Sequence, residues 1–182
     1  VATSVRNIPM KLVIEQRDVI NKHLARTTGG KVSFTHILGY AMVRALMMVP
    51  EMNVAYDEEN GKPVLVANHQ VNLGLAIDLA RPDGTRQLIV PNIKAADQMN
   101  FREFWRAYEA MVRKARNNEL TVDDFAGTTA SLTNPGGIGT SHSVPRLMMG
   151  QGVILGVGSI DYPPEFKAAS DTRQRALGVS KI

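Results

Sequence analysis

The sequence predicts a two-layer α/β domain in which helices cover one face of a mixed sheet. Two segments carry apolar residues at amphipathic helical spacing, and a third carries an aromatic stripe. Short apolar runs between turn residues indicate strands. The order is a strand, two helices, four strands, a helix and two strands, which is typical of a mixed α/β fold with an antiparallel component.

The first part of the chain is predicted to contain a short strand and a helix. Val1 to Val5 read as a strand. Met10 to Arg26 then carries apolar residues among charged ones at helical spacing, until Gly29-Gly30 interrupts the pattern. Because the chain has no initiator methionine, we expect it to be a fragment of a longer protein.

A second helix is expected to be largely buried. Ser33 or Thr35 can cap its first turn, and Pro50 ends it. Its apolar residues form a broad surface rather than a narrow stripe, which favours burial. These residues are Ile37, Leu38, Ala41, Met42, Ala45, Leu46 and Val49.

Four strands are predicted to pair as two hairpins and to form one sheet. The runs "NVAY" and "PVLVA" are separated by Asn60-Gly61, which tolerates the positive φ of a tight hairpin. The runs "VNLGLAIDL" and "RQLIVPNI" flank "ARPDGT", where Pro82, Asp83 and Gly84 are turn formers. The second hairpin is expected to have the longer and more buried strands.

The third helix has the clearest pattern. Aromatic and aliphatic residues recur every three or four positions from Phe101 to Asn117, and Asn100 with Glu103 forms a capping-box pattern. Two apolar strands, "TASLT" and "GVILGVGSI", complete the predicted order.

Length and composition are those of one globular domain over residues 1–182. The chain is 44% hydrophobic and 21% charged, and a domain of this length buries roughly 70% of its unfolded surface. It contains no cysteine, which excludes disulfides, thiolate nucleophiles and cysteine-zinc sites. No signal peptide or membrane-spanning apolar run is present in the sequence, so no membrane partner is expected.

The charge is mildly basic, with a formal net charge of +4. The densest basic run is "RKAR" at Arg113 to Arg116, which we interpret as a solvated helix face or as a mild attraction for a polyanion such as coenzyme A or an acidic partner. Glutamate and aspartate residues interrupt the basic residues, so nucleic acid is not expected as a partner.

The glycine-rich segment "NPGGIGTSH" matches a phosphate-binding loop only in part. Gly137 and Gly139 give G-x-G, but His142 occupies the third glycine position of a dinucleotide fingerprint and the P-loop lysine is missing. We expect these glycines to let the backbone turn sharply and pack closely.

The histidines do not form a catalytic or metal-binding pattern. His142 lies beside Ser141, but neighbours on an extended chain point to opposite sides, so the pair is not a nucleophile and its base. His23, His36 and His69 lack the spacing of metal ligands, and no metal site is predicted.

Thr133 and Asn134 end an apolar strand just before the glycine turn. A hydroxyl held there by a rigid strand can donate a hydrogen bond to a developing oxyanion. Thr-Asn at a strand end is also ordinary turn chemistry, and the residues alone leave both interpretations open.

A family resemblance covers nearly the whole chain. Its segments occur in one order: "VSFTHILGYAMVRALMMVPEMN", "VNLGLAIDL", "LIVPNIKAADQMNFREF", "KARNNELTVDDFAGTTASLTNPGGIGT" and "QGVILGVGSI". Together they resemble the catalytic acyltransferase core of 2-oxo acid dehydrogenase complexes, which is similar in fold to chloramphenicol acetyltransferase. The variants "SLTNPGGIGTSHSVPRLM", "GQGVILGVGSIDYPPEF" and "ALGVSKI" look most like the succinyltransferase-type domain fused to a multifunctional bacterial 2-oxoglutarate decarboxylase.

The resemblance implies transfer of an acyl group, here succinyl, between a dihydrolipoyl arm and coenzyme A. In this family a histidine removes the thiol proton, and a hydroxyl in a T-N-x-G segment stabilises the oxyanion; Thr133 matches that hydroxyl. The histidine belongs to an H-x-x-x-D-G motif that this sequence lacks. We therefore expect a chain truncated at both ends and inactive by itself.

Coenzyme A and the dihydrolipoyl group are implied as substrates, while thiamine diphosphate and Mg²⁺ are implied only for the fused decarboxylase domain. The implied partners are a lipoyl domain, the 2-oxoglutarate decarboxylase and dihydrolipoamide dehydrogenase. The resemblance also implies a trimer-based homo-oligomer. It implies a location in the cytoplasm and a role in the tricarboxylic acid cycle. The residues that contact coenzyme A are not assigned. A second hypothesis is a non-catalytic module that trimerises and docks partner domains.

Overall fold

The computed structural model describes residues 2–81 and 83–182, and it contains four α-helices and eight short strands in that part of the chain. The helices are α1 (Lys11–Arg26), α2 (Phe34–Met48), α3 (Phe101–Arg116) and α4 (Asp171–Ala176). The strands are β1 (Val54–Glu59), β2 (Lys62–Ala67), β3 (Leu73–Leu75), β4 (Ile77–Ala80), β5 (Arg86–Ile89), β6 (Asn92–Ile93), β7 (Ala130–Thr133) and β8 (Val153–Gly156).

The third helix begins as the sequence predicts. The side chain of Asn100 accepts a hydrogen bond from the backbone N–H of Glu103 at 3.1 Å, and the Glu103 carboxylate accepts one from the backbone N–H of Asn100 at 2.8 Å. This capping box satisfies two backbone donors that the first turn of a helix leaves free. The capping-box prediction is confirmed.

Strands β1 and β2 form the predicted hairpin. They pair antiparallel with Glu59 opposite Lys62, and the turn residues Asn60 and Gly61 have φ of +53° and +73°. These left-handed values fit the Asn-Gly pair.

The prediction that four strands form one sheet is wrong. Strands β1 and β2 form a two-stranded sheet, and β4 and β5 form another. The predicted second hairpin is divided, because β3 and β6 pair antiparallel in a separate four-stranded sheet with the order β6-β3-β7-β8. Strands β3, β7 and β8 are parallel there, so this sheet is mixed as predicted.

The turn between β4 and β5 lies partly outside the described residues, because Pro82 is not described. Asp83 accepts a hydrogen bond from the backbone N–H of Thr85 at 2.9 Å, and Gly84 has a φ of +82°. Strands β4 and β5 are exposed or half-buried, which corrects the expectation that the whole second hairpin is buried.

The core lies between one face of the four-stranded sheet and helices α2 and α3. Leu73 and Leu75 of β3 lie opposite Ala130 and Leu132 of β7, and all four are buried. Phe104 of α3 packs into the same cluster, together with Met42, Val43 and Leu46 of α2. Side chains at alternate strand positions share a face, so the two helices cover the same face of the sheet. The two-layer α/β prediction is confirmed.

Helix α2 approaches this sheet closely at a glycine. A Cβ added at Gly39 would lie 3.2 Å from side-chain atoms of both Leu132 and Phe104. The expectation that α2 is largely buried holds for only one side of the helix, because Met47 and Met48 are 45% and 83% exposed.

The chain divides into two compact units. One comprises Thr35–Asn134 and Val144–Val157, and it contains the four-stranded sheet, the two-stranded sheets and α3. The other comprises Val1–Phe34, Pro135–Ser143 and Gly158–Ile182. The single-domain organisation of residues 1–182 stays a prediction.

In the second of these units, backbone contacts join distant segments. Met10 N–H donates to the carbonyl of Lys181 at 2.7 Å, and Asp161 and Ile182 exchange a pair of backbone hydrogen bonds at 3.1 and 2.9 Å. The guanidinium of Arg17 lies 4.3 Å from the ring centroid of Phe34.

Two expectations for the start of the chain are corrected. Residues 2–10 have no regular secondary structure, so the opening strand is absent from the described residues of Val1 to Val5. Helix α1 forms where predicted, but none of its described residues is buried, and Leu12 is 66% exposed. A membrane-spanning helix is absent from the described part of the chain, since no helix there combines the necessary length and apolarity.

Candidate active site

Thr133 is the last residue of β7, an interior strand of the four-stranded sheet. Its carbonyl accepts a hydrogen bond from Val157 N–H at 2.9 Å, and the preceding carbonyl, of Leu132, accepts one from Ala76 N–H at 2.9 Å. The backbone is therefore held from both sides just where the strand ends. The side chain is half-buried, and its hydroxyl has no hydrogen-bond partner among residues 2–81 and 83–182.

The next residue is anchored through its side chain. Asn134 Nδ2 donates a hydrogen bond to Oγ1 of Thr35 at 2.8 Å. The Thr35 side chain is also hydrogen-bonded to the hydroxyl of Tyr108 on α3. The sequence pattern indicated Thr35 only as a helix cap. Nothing local predicts its contact with Asn134, which lies 99 positions away along the chain. The contact with Tyr108 is likewise one between distant segments.

Tyr108 is itself confined by its neighbours. Its ring meets the ring of His36 edge-on, with the centroids 4.3 Å apart. Burial raises the pKa of the Tyr108 hydroxyl above its usual value, and the nearby charge of Glu109 acts in the same direction. The phenol is therefore neutral at physiological pH and can take part in hydrogen bonding as a protonated group.

His36 is a buried histidine, only 2% exposed, at the start of α2. Its Nε2 lies 3.0 Å from Oε1 of Glu109, yet burial lowers the pKa of His36 to about 4. Burial outweighs attraction to the carboxylate, because the Glu109 side chain is 51% exposed and water screens its charge. His36 is therefore neutral at pH 7 and packed inside the unit.

The other three histidines are exposed. His23 lies on the exposed side of α1, His69 lies in the turn after β2, and His142 lies in an extended stretch after the glycine segment. Among residues 2–81 and 83–182, no group of three or more histidine, cysteine, aspartate or glutamate side chains could hold a metal ion.

The glycine segment has the close packing that its composition predicts. Gly136 lies in a 3-10 turn, Pro135–Ile138, where an added Cβ would be 2.1 Å from the carbonyl oxygen of Gly158. Gly139 has a φ of +88°. Gly137 has open space around it and a φ outside the left-handed region. Backbone contact therefore explains Gly136, and backbone conformation explains Gly139.

A cavity of about 590 Å³ lies elsewhere in the unit that contains the sheets. Its lining includes Leu88, Phe125, Met148 and Met149, and Met149 is fully exposed. Thr133 is not part of this lining. Sequence reasoning did not find this cavity, because its walls come from four separate segments.

The basic run on α3 is exposed, as its interpretation as a solvated face requires. One member, Lys114, is paired with Asp124, its Nζ lying 3.0 Å from Oδ1. The pKa of the Asp124 carboxyl is lowered, first by the hydrogen bond from the backbone N–H of Thr121 and then by the hydrogen bond from the side-chain ammonium of Lys114.

A mixed sheet covered by two helices, with a hydroxyl at the end of an interior strand, places the chain in the fold class of dihydrolipoamide acyltransferase cores. It is similar to a probable dihydrolipoamide acetyltransferase from Listeria monocytogenes, with a TM-score of 0.76, 23% identity and coverage of 87% of this chain and 64% of that one. For the Azotobacter vinelandii dihydrolipoamide acetyltransferase the TM-score is 0.71 and the identity 25%, over 97% of this chain and 65% of that one.

The family model for the 2-oxoacid dehydrogenases acyltransferase (catalytic domain) matches residues 1–180, and the chain belongs to this family. It is 58% identical to the 2-oxoglutarate dehydrogenase E1/E2 component of Corynebacterium glutamicum over 181 residues, all of this chain and 15% of that protein. It is also 58% identical to the multifunctional 2-oxoglutarate metabolism enzyme of Mycobacterium sp. (strain JLS), over 14% of that protein. The chain thus spans about one seventh of these relatives, and the family resemblance in the sequence is confirmed.

Proposed function

We propose that residues 1–182 form an acyltransferase catalytic domain that moves a succinyl group from a dihydrolipoyl arm to coenzyme A. The family supports acyl transfer, and the names of the 58% identical relatives support 2-oxoglutarate metabolism and therefore a succinyl donor. The observation that carries the proposal is the position of Thr133, whose hydroxyl is unpaired within the described residues at a strand end held on both sides.

The chemistry follows from the needs of thioester exchange. A general base removes the proton from the coenzyme A thiol, and the thiolate attacks the succinyl thioester carbonyl. Carbon–sulfur bond formation gives a tetrahedral oxyanion, to which the Thr133 hydroxyl donates a hydrogen bond. Collapse breaks the other carbon–sulfur bond and expels the dihydrolipoyl thiolate, which takes up the proton.

We assign the general base to a histidine other than the four in this sequence. None of them belongs to an H-x-x-x-D-G motif. His36 is also buried, with its Nε2 against Glu109. A serine, a histidine and an asparagine have been studied for their role in the catalytic mechanism of the Azotobacter vinelandii relative, which supports pairing a hydroxyl with a histidine.

The surroundings of the domain are proposed on the same basis. The substrates are coenzyme A and a dihydrolipoyl arm on a lipoyl domain, and the exposed basic run on α3 favours a polyanionic substrate. Thiamine diphosphate and Mg²⁺ belong to a fused 2-oxoglutarate decarboxylase, and dihydrolipoamide dehydrogenase reoxidises the arm. The protein acts in the cytoplasm.

A trimer-based homo-oligomer is part of the proposal. Large apolar side chains are exposed on the sheet-containing unit, among them Met48 at 83% and Val122 at 87%. Such side chains favour burial against another chain. One structural relative is the cubic core of a pyruvate dehydrogenase multienzyme complex, with a TM-score of 0.70.

The same exposed apolar side chains support the second candidate, a non-catalytic module that oligomerises and docks partner domains. An H-x-x-x-D-G motif in the parent sequence supports the enzyme, whereas a degenerate segment supports the scaffold.

The direct test is a transfer assay on the full-length protein that contains this chain. With succinyl-dihydrolipoamide and coenzyme A, we expect succinyl-coenzyme A to form faster than acetyl-coenzyme A forms from acetyl-dihydrolipoamide. A folded full-length protein that oligomerises but transfers neither group would overturn the enzymatic assignment and leave the scaffold.

A further inference from the structure

A chain of hydrogen bonds connects helix α3 to the end of β7 through helix α2. Tyr108 on α3 is hydrogen-bonded to the side chain of Thr35 on α2. Oγ1 of Thr35 in turn accepts the 2.8 Å hydrogen bond from Asn134 Nδ2. All three residues are half-buried and belong to one compact unit.

The hydroxyl of Thr35 is suited to this middle position. A threonine hydroxyl has one donor and two acceptor sites. It can therefore accept a hydrogen bond from the Asn134 amide while its own O–H donates one to the Tyr108 hydroxyl. A serine can make the same pair of bonds, whereas a valine of nearly the same shape can make neither. The two helices that form this contact are those whose apolar faces pack on the sheet.

This contact fixes the residue directly after Thr133. The backbone of β7 is held by ladder hydrogen bonds up to the carbonyl of Thr133. Beyond it, the Asn134–Thr35 bond ties the departing chain to α2 by a side chain. The Thr133 hydroxyl lacks a partner of its own within the described residues, so its position depends on the backbone on either side of it.

We infer that Thr35 is a positioning residue for the oxyanion donor, acting through Asn134 to hold Thr133 where the tetrahedral intermediate forms. This inference rests on the proposed function. A donor to an oxyanion must be aimed before the charge develops, and a displacement of about 1 Å can reduce a rate by about 10²-fold. Loss of the Thr35 hydroxyl thus affects the transition state more than substrate binding.

The test uses the full-length protein with succinyl-dihydrolipoamide and coenzyme A. Thr35→Val is expected to lower kcat about 10- to 100-fold with little change in KM for coenzyme A, because the lost contact orients a transition-state donor. Thr35→Ser should restore most of kcat. Thr121→Val removes another side-chain hydrogen bond, from Thr121 Oγ1 to Asp124 at 3.1 Å, and should leave kcat unchanged.

A double variant separates positioning from a general structural effect. If Thr35 acts through Thr133, adding Thr35→Val to Thr133→Ala should lower kcat by less than about twofold, because the group being positioned is already gone. Independent, multiplicative losses in the double variant would overturn the inference. So would a Thr35→Val variant with wild-type kcat.

The single Thr133→Ala variant distinguishes failure of this inference from failure of the proposed function. If Thr133→Ala lowers kcat but Thr35→Val does not, only the positioning role fails. If Thr133→Ala has no effect, or the wild-type protein transfers no acyl group, the proposed chemistry fails and the inference fails with it. Thermal melting of every variant identifies unfolding. If Thr35→Val does not fold, Thr35→Ser supplies the kinetic test. A tenfold loss of kcat in Thr35→Ser, which keeps the hydroxyl, would also contradict the inference.

Discussion

Nε2 of His36, whose side chain is only 3% exposed, lies 3.0 Å from Oε1 of Glu109. Burial lowers the pKa of His36 from 6.5 to about 4, so the folded protein holds this imidazole neutral while the unfolded chain takes up a proton below about 6.5. The unfolded state then binds more protons than the folded state between these two pH values. Stability therefore rises with pH across this window and is lost as the pH falls through it.

The first prediction is a pH-dependent stability that comes from His36. Between pH 6.5 and pH 4 the free energy of unfolding should fall by up to about 3 kcal/mol from this residue alone. In urea unfolding at pH 7 and pH 5, His36→Gln should be less stable at pH 7, and its difference from wild type should shrink at pH 5. His142→Gln, which replaces an exposed histidine, is the matched control for the substitution. Parallel profiles for wild type and His36→Gln would contradict the prediction.

The second prediction concerns Thr133 in the full-length protein. Thr133→Ala should lower kcat by about 10²–10³ with little change in KM for coenzyme A, because the hydrogen bond forms mainly in the transition state. Thr133→Ser should keep much of the rate. Steady-state kinetics limited by acyl transfer, with folding checked by thermal melting, measure both variants. A folded Thr133→Ala protein with wild-type kcat would remove this hydroxyl from the mechanism.

The third prediction concerns residues 1–182 expressed alone. We expect no measurable transfer from succinyl-dihydrolipoamide to coenzyme A, because the general base is absent and such a base typically contributes about 10²–10⁴-fold. Formation of succinyl-coenzyme A by the purified chain is the measurement. Robust turnover would mean that one of its four histidines carries the reaction.

The fourth prediction concerns packing at the glycine turn. Gly136→Ala places a Cβ 2.1 Å from the carbonyl oxygen of Gly158, and backbone cannot yield as a flexible side chain can. We expect a loss of about 2–3 kcal/mol in the free energy of unfolding. Gly137→Ala, one residue along with open space around it, should change stability by less than about 0.5 kcal/mol. Equal effects of the two changes in urea unfolding would refute this account of the turn.

The sequence by itself was sufficient to predict those features whose interacting residues are close together along the chain. The Asn60-Gly61 hairpin turn and the Asn100–Glu103 capping box depend on contacts within a few residues. Propensity, turn chemistry and side-chain periodicity describe such contacts directly. The ordered motifs of the sequence likewise indicated the acyltransferase family, which the family match confirms.

Contacts between distant segments were decided only by the tertiary structure. Membership of the sheets depends on pairings such as Leu73 with Ala130, and the burial of His36 depends on α3 packing beside α2. The hydrogen bond from Asn134 to Thr35 spans 99 residues. Periodicity predicts which side of an element is apolar but not which segment covers it, because that choice is made by shape and hydrogen bonding after the chain has folded back on itself.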